Sequence, residues 1–161
     1  MDQTFSFTVN GKVRSVTTDP ERSLLEVLRE EFQMTGPKYG CGEGQCRACT
    51  VLLNGKSVPS CTTPVSEANK KEILTIEGLA SGDKLHPVQE AFLAEGAFQC
   101  GYCTAGMILG TVALLKETPN PSEAEIRSRM QRHLCRCCSY VRIVKAIRRA
   151  ANGTMKAAIR G

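Results

Sequence analysis

Apolar and polar residues alternate near the start of the chain, where Phe5, Phe7 and Val9 are separated by single polar residues. Alternation with a period of two is typical of a β-strand that buries one face. The pair Asn10-Gly11 follows directly and favours a tight type I′ turn. The pattern therefore predicts a β-hairpin, in which residues 12–16 form the returning strand.

A helix is predicted after this hairpin. Asp19 suits the N-cap position and Pro20 the first helical position. The segment Thr35-Gly36-Pro37 would end the helix. Between these signals, apolar residues recur at helical spacing, at Leu24, Leu25, Leu28 and Phe32.

A second hairpin is predicted after a glycine-rich loop at residues 40–49. Its strands would be residues 50–53 and 56–58, joined by Asn54-Gly55. One more short strand is expected at Ile73, Thr75 and Ile76 and would end near Gly78. A hairpin, a helix, a loop, a second hairpin and a strand together predict an α+β fold for the first 78 residues.

Helical periodicity replaces the strand signals from residue 79 onward. This change predicts a domain boundary, with one domain at residues 1–78 and another at 79–161. Four short helices imply a small helical bundle, and they are expected at residues 87–94, at residues 104–116, from a Ser122/Glu125 capping box to about His133, and from Ser139 to Ala151, before Asn152-Gly153.

Length and composition are those of an ordinary globular chain of 161 residues, 42% of them hydrophobic and 23% charged. No apolar run reaches the roughly 18–20 residues of a membrane-spanning helix, and residues 1–4 lack the basic and apolar regions of a signal peptide. We therefore expect no membrane span and a cytoplasmic location, although export together with a signal-bearing partner stays open.

Positive charge is concentrated at the C-terminal end. Residues 122–161 contain ten basic and two acidic residues, whereas residues 1–121 contain 11 basic and 14 acidic residues. A basic segment can bind nucleic acid, but no aromatic platform accompanies this one and the chain has no tryptophan. A solvated helix face or a contact with an acidic partner subunit is preferred, and no nucleic acid partner is expected.

Nine cysteines make metal binding the preferred interpretation, because disulfides are rare in a reducing compartment. The first set follows the Cys-x4-Cys-x2-Cys…Cys spacing of plant-type [2Fe–2S] ferredoxins, at Cys41, Cys46, Cys49 and Cys61. Glycines 40, 42 and 44 allow the loop to turn sharply and to point backbone N–H groups at the sulfurs. Zinc is the alternative, but zinc loops usually carry cysteines in pairs.

The second set is Cys100 with Cys103 and, after a helical excursion, Cys135 with Cys137. Its spacing suits a Cys₄ zinc site and an iron–sulfur cluster about equally well. Each pair precedes a predicted helix, and two helix N-termini aimed at one anionic group are favourable. The ninth cysteine, Cys138, is interpreted as a thiol that is not a ligand.

Several short motifs occur in a fixed order along the chain. They are Gly40-Cys41, Gly44, Cys46, Ala48-Cys49-Thr50-Val51, Ser60-Cys61, Thr75, Glu77-Gly78-Leu79, His86-Pro87-Val88-Gln89, Ala91-Phe92, Gln99-Cys100-Gly101-Tyr102-Cys103-Thr104, Gly106-Met107, Leu134-Cys135-Arg136-Cys137 and Tyr140. Together they resemble the small iron–sulfur subunit or domain of the molybdenum hydroxylases, the xanthine dehydrogenase/aldehyde oxidoreductase group, which includes isoquinoline oxidoreductase and carbon monoxide dehydrogenase. The resemblance covers residues 3–151.

The resemblance implies a β-grasp ferredoxin-like domain followed by a four-helix bundle domain. It implies that the second site also binds a [2Fe–2S] cluster, held by Cys100, Cys103, Cys135 and Cys137. It further implies a large partner subunit with a molybdopterin-type cofactor, contacted by Gln99 and Cys137, and it is compatible with a flavin subunit carrying FAD. The helical-domain cluster would lie nearest the pterin, with the ferredoxin-type cluster further out.

Three positions depart from the family pattern. Arg47 stands where the family usually has glycine, which adds a positive charge that either raises the potential of the outer cluster or docks a partner. Ala105 replaces a usual proline. Cys138 and Ser139 replace a usual Thr-Gly pair, so that Cys138 is placed where it would compete as a ligand.

The expected function is electron relay in a molybdenum-dependent hydroxylase. Substrate would be oxidised in the partner, and no catalytic residue is expected in this chain. Two alternatives remain: a free two-cluster ferredoxin, which native size would reveal, and a colourless zinc-binding interaction module. The chain has two histidines, and His86, at a predicted helix start, is interpreted as structural.

Overall fold

The computed structural model describes residues 1–159. In this part of the chain, a five-stranded sheet with one short helix is followed by four longer helices. The elements are β1 Gln3–Val9, β2 Lys12–Thr18, α1 Leu24–Glu26, β3 Thr50–Leu53, β4 Lys56–Pro59, β5 Glu72–Leu74, α2 Pro87–Ala94, α3 Thr104–Glu117, α4 Glu123–Met130 and α5 Tyr140–Ile159.

The sheet is mixed, with strand order β2-β1-β5-β3-β4. Strands β1 and β5 pair in parallel, whereas the other neighbours are antiparallel. Both Asn-Gly turns have the positive φ angles that a type I′ turn requires, with φ 50° at Asn10, 77° at Gly11, 48° at Asn54 and 78° at Gly55. Both predicted hairpins are therefore confirmed.

The first helix begins later than the sequence pattern predicted. Ser23 rather than Asp19 is its N-cap, and the Ser23 hydroxyl accepts the N–H of Glu26 at 3.2 Å. The N–H of Leu24 donates to the carbonyl of Thr63 at 2.8 Å. Asp19 instead begins a separate turn, in which the N–H of Arg22 donates to the Asp19 carbonyl at 3.1 Å, and Ser23 is extended, so the helix starts only after Ser23. After α1 the chain continues as a wider π-type turn, Val27–Glu31.

The helices α2 and α4 begin at the predicted positions. The imidazole of His86 accepts the N–H of Val88 at 3.2 Å, while the N–H of His86 donates to Gln89 at 2.9 Å. His86 is thus a helix cap, which agrees with its structural interpretation. Ser122 forms the predicted capping box at the start of α4, although α4 ends at Met130, three residues before the expected end.

The predicted end of α5 at Asn152-Gly153 is wrong, because the helix runs through to Ile159. Gly153 does not adopt a left-handed φ, and an added Cβ there would meet no atom within 4 Å. A glycine inside a helix costs only about 1 kcal/mol relative to alanine. The helix-favouring residues that follow in the sequence allow it to continue.

Apolar side chains form a core under the sheet and a second core among α2, α3, α4 and α5. A third cluster joins them, because Leu52 of β3 packs against Leu109 and Ala113 of α3. The expected separate four-helix bundle is not confirmed, since α3 packs on the sheet as well as on its neighbouring helices. Among the described helices, none is both long and apolar enough to cross a bilayer.

Candidate metal centres

The first cysteine loop directs backbone N–H groups at its sulfur atoms. Cys41 Sγ accepts the N–H groups of Glu43 and Gln45 at 3.3 Å each and that of Cys46 at 3.4 Å. Three donors on one sulfur create a positive electrostatic environment that favours the thiolate over the thiol. The loop is therefore shaped to stabilise negative charge on sulfur.

Two further sulfurs of the first set receive N–H groups from the same loop. Cys46 Sγ accepts the N–H of Cys41 at 3.4 Å, and Cys61 Sγ accepts the N–H of Gly44 at 3.3 Å. Gly44 has φ 69°, a left-handed conformation that glycine adopts without strain. These contacts confirm the expectation that glycines let the loop turn its N–H groups toward sulfur.

The β3–β4 hairpin brings the last two cysteines of the first set together. Cys49 lies just before β3 and Cys61 just after β4, and their thiols lie within hydrogen-bonding reach of each other. The buried hydroxyl of Ser60 donates to the carbonyl of Cys49 at 2.6 Å and fixes the two chain segments. All four predicted ligands of the first site are therefore clustered.

The thiols of this site differ widely in acidity. Burial would raise the pKa of Cys41, but the N–H groups of Cys46, Glu43 and Gln45 outweigh it and lower the pKa to about 7. Burial and the neighbouring Cys61 thiol raise the pKa of Cys49 to about 12. As a metal ligand, Cys49 would have to be a thiolate, which its burial alone disfavours.

The second set gathers at the N-termini of two helices. Cys103 is the N-cap of α3, and its thiol interacts with those of Cys135 and Cys100. The backbone N–H groups of Ser139 and Cys137 donate to Cys135 Sγ, where they oppose the rise in pKa that burial would cause. As predicted, the N-terminal ends of α3 and α5 face the same group of sulfurs, which favours an anionic occupant.

Hydrogen bonds of two side chains, Gln99 and Tyr140, link the segments of the second site. The amide of Gln99 donates to the carbonyl of Cys137 at 3.1 Å. The N–H of Cys135 donates to the phenol oxygen of Tyr140 at 2.8 Å. Spacing alone gave Tyr140 no role, because this contact depends on how α5 folds back over the cysteine loop.

The two sites adjoin one another. A cavity of about 440 Å³ lies between them and is lined by cysteines of both sets. Across it, the N–H of Leu134 donates to the carbonyl of Cys46 at 3.1 Å. The close approach of α3 to the first loop depends on Gly106, because a Cβ there would lie 2.2 Å from the carbonyl oxygen of Arg47.

The arrangement fits an anionic group larger than a single ion. Within residues 1–159, no three His, Cys, Asp or Glu side chains converge on one metal position. A tetrahedral zinc ion needs sulfurs about 2.3 Å from a single point, whereas an iron–sulfur cluster distributes four thiolates over a larger group. The N–H groups donated to the sulfurs and the cysteine-lined cavity suit an anionic iron–sulfur cluster.

Cys138 faces away from this arrangement. It is exposed, has φ 59°, and its thiol lies 3.8 Å from the carbonyl of Arg136. Its N–H donates to the carbonyl of Cys135 at 3.2 Å and closes a tight turn. The turn brings the backbone of Cys138 close to the second site while its side chain points toward solvent.

Two protein-family models match the chain. Residues 7–77 match a 2Fe-2S iron–sulfur cluster binding domain, and residues 75–148 match a [2Fe-2S] binding domain. The two matches together cover both cysteine sets.

Curated proteins and solved structures give matches over nearly the whole chain. The nicotinate dehydrogenase small FeS subunit of Eubacterium barkeri is 46% identical, over 91% of this chain and 94% of its own. The alpha subunit of isoquinoline 1-oxidoreductase from Brevundimonas diminuta is 48% identical, over 90% and 95%. A chain of quinoline 2-oxidoreductase from Pseudomonas putida 86 superimposes with a TM-score of 0.91 at 39% identity, over 96% and 97%.

Proposed function

Because the chain belongs to the family of small iron–sulfur subunits of the molybdenum hydroxylases, we propose that it relays electrons between two [2Fe–2S] clusters. It is a component of a multi-subunit oxidoreductase, as its relatives are. Each bound cluster supplies reversible one-electron chemistry. The residues of this chain hold the clusters, tune them and keep them close together.

We assign one cluster to each cysteine set. Cys41, Cys46, Cys49 and Cys61 would hold the ferredoxin-type cluster in a domain of residues 1–78. Cys100, Cys103, Cys135 and Cys137 would hold the other in a helical domain of residues 79–161, with α2 to α5 as its bundle. The two main cores and the two family matches, which meet at residues 75–77, support this division.

The contact between the two sites is the observation that supports the proposed electron relay most directly. The hydrogen bond from Leu134 to Cys46 links a neighbour of Cys135 directly to a cysteine of the first set. A polypeptide is otherwise insulating. Single-electron transfer through it therefore needs a short connection of covalent and hydrogen bonds between the two ligand sets. As the resemblance to the molybdenum hydroxylases implies, we propose that electrons enter at the helical-domain site and leave at the ferredoxin-type site.

The partner that delivers electrons would dock beside the second site. Tyr102, Leu134 and Tyr140 line the cavity and are 47%, 51% and 40% exposed. An apolar surface of this kind marks a protein contact. We propose that it faces a large subunit whose molybdopterin-type cofactor is contacted by Gln99 and Cys137, with a flavin subunit carrying FAD or another electron carrier as the acceptor. We also propose a cytoplasmic location, where unpaired cysteines stay reduced.

Reciprocal ligand variants test the assignment. In the purified complex, Cys49→Ser is expected to abolish the electron-spin resonance signal of the ferredoxin-type cluster and to leave the other signal. The matched variant Cys103→Ser is expected to do the opposite, since it removes a ligand of the second set only. Cys138→Ser is the control and keeps both signals. Loss of both signals from folded Cys49→Ser protein would contradict the partition of ligands.

A further inference from the structure

Helix α5 carries positive charge on its exposed face. Its buried face consists of Ile143, Ala146, Ile147, Ala150 and Ala151. Its exposed face carries four basic residues, which are Arg142, Lys145, Arg148 and Arg149. No aspartate or glutamate follows Glu125 in the sequence, so no acidic residue of α5 itself offsets these charges.

The two charges farther along α5 are paired within the chain. Arg148 lies 3.6 Å from a carboxylate oxygen of Glu123 in α4. Arg149 lies 3.0 Å from a carboxylate oxygen of Glu95, which follows α2. These carboxylates reduce the net positive charge at this part of the helix, so the two arginines are satisfied without a partner chain.

The charges near the start of α5 are not neutralised. Arg142 donates to the carbonyl of Gly96 at 3.4 Å, but in the part of the chain that the structure describes neither Arg142 nor Lys145 pairs with a carboxylate. Arg136 is exposed, lines the cavity between the two cysteine sets, and forms no ion pair with any described residue. Three positive charges are therefore available to carboxylates of another chain.

Exposed apolar side chains lie beside these charges. Val141 is 68% exposed and follows Tyr140 at the start of α5. Tyr140 lines the cavity together with Leu134 and Arg136. Lys145 lies on the same face of α5 as Val141, one helical turn further on. A solvated helix face carries charged and polar residues throughout, whereas an apolar centre with arginines around it is typical of a protein interface.

We propose that this surface binds an acidic surface of the large partner subunit. We call it the α5 surface, and its members are Leu134, Arg136, Tyr140, Val141, Arg142 and Lys145. The proposal rests on the proposed function, because that function places the large subunit beside the second cysteine set. It adds the chemistry of the partner, which presents carboxylates to Arg136, Arg142 and Lys145 and an apolar contact to Val141.

Opposite charges on the two surfaces would act on the rate and the specificity of association. Such charges steer two proteins toward the correct orientation and raise association rates by about 10–10³-fold at low salt. Removal of the apolar centre from water would supply affinity that does not depend on salt. The correct orientation keeps the second cysteine set close to the subunit that donates electrons, whereas like charges disfavour other orientations.

Charge reversal in the purified complex tests the proposal. The double variant Arg142→Glu and Lys145→Glu is expected to raise the dissociation constant of this chain from the complex at least about tenfold at low salt. Dilution followed by mass photometry measures this constant. At 1 M salt, where the Debye length is about 3 Å, the difference from the wild type should almost vanish. The matched control is Lys12→Glu with Arg14→Glu, which reverses one lysine and one arginine on the exposed strand β2.

Lysine labelling of the native complex locates the interface independently. Lys145, Lys12 and Lys56 are all exposed in this chain. Acetic anhydride is expected to leave Lys145 largely unmodified in the complex, because the large subunit covers it, while Lys12 and Lys56 react. Mass spectrometry of the digested chain compares the three positions in one sample.

Equal dissociation constants for the two double variants at low salt would overturn the proposal, as would full labelling of Lys145 in the complex. A rise that persists at 1 M salt would also overturn it, because the effect would then follow side-chain shape rather than charge. Binding of duplex DNA by the intact complex, or loss of a second copy of this chain from the variant complex, would assign the surface to a different partner.

Iron content and the two electron-spin resonance signals of the variant complexes test the proposed function separately, because neither double variant changes a cysteine. Wild-type iron content also shows that each variant is folded. A failure of the cluster assignment is therefore distinguishable from a failure of the role given to the α5 surface.

Discussion

Individual backbone N–H groups determine how the sulfur atoms of this protein are stabilised. Cys41 Sγ accepts three of them, and Cys135 Sγ accepts two. Hydrogen bonds to sulfur stabilise negative charge and tune the potential of an iron–sulfur site. The immediate neighbours of Cys41 and Cys135 in the chain therefore stabilise negative charge on these two sulfurs.

Tyr140 supports the second site through one hydrogen bond, and its removal is a residue-scale prediction. In Tyr140→Phe, the N–H of Cys135 loses its acceptor at 2.8 Å. We expect a loss of about 1 kcal/mol in the free energy of unfolding and a changed line shape of the helical-domain signal. Urea unfolding and electron-spin resonance measure the two effects.

Tyr102→Phe is the control for this prediction. This variant also removes a phenol hydroxyl beside the second site. The Tyr102 hydroxyl, however, donates to the carbonyl of Tyr39 and not to a cysteine segment, and Tyr102 is 47% exposed. The helical-domain signal should be unchanged in this variant. Equal changes in both variants would contradict the specific support that the hydrogen bond of Tyr140 gives to the second site.

Sequence predicted which cysteines belong to each set, but not the residues that support them. The cysteines are recognisable because their spacing along the chain is fixed by the group they bind. The support that Tyr140 gives depends on how the turn after Cys135 places the start of α5, and such a contact leaves no periodic signal. Arg47 was noticed as a charge, whereas its left-handed backbone became visible only in the folded loop.

The elements differ in how far local sequence determines them. Both hairpins follow from Asn-Gly pairs, because few other residues accept two successive positive φ angles. The start of α1 was mispredicted because a distant segment at residues 63–65 pairs with residues 22–24. The end of α5 was mispredicted because Gly153 is compatible with a helix interior as well as with a helix end.

Two glycine-to-alanine variants in helices are predicted to have opposite effects. In α3, Gly106→Ala places a Cβ 2.2 Å from the carbonyl oxygen of Arg47 and should cost about 1–3 kcal/mol through overpacking. In α5, Gly153→Ala meets no atom within 4 Å and should gain about 0.5–1 kcal/mol in helix propensity. Thermal unfolding of both variants measures the difference, and a stabilised Gly106→Ala protein would contradict the close packing described for α3.

At the scale of the whole molecule, α3 connects the sheet with both sets of cysteines. It packs on β3, begins at Cys103 and approaches the first cysteine loop at Gly106. The sequence pattern separated the chain into a strand-rich and a helical part, but it contained no information on how the two parts meet. Their contact places the two cysteine sets around one cavity.

The iron and acid-labile sulfide content of the intact native complex tests the central claim most directly. If each cysteine set holds a [2Fe–2S] cluster, each copy of this chain carries about four irons and about four sulfides. Two distinct electron-spin resonance signals should appear on reduction. About two irons per chain, or zinc in place of iron, would contradict the account of two adjoining clusters.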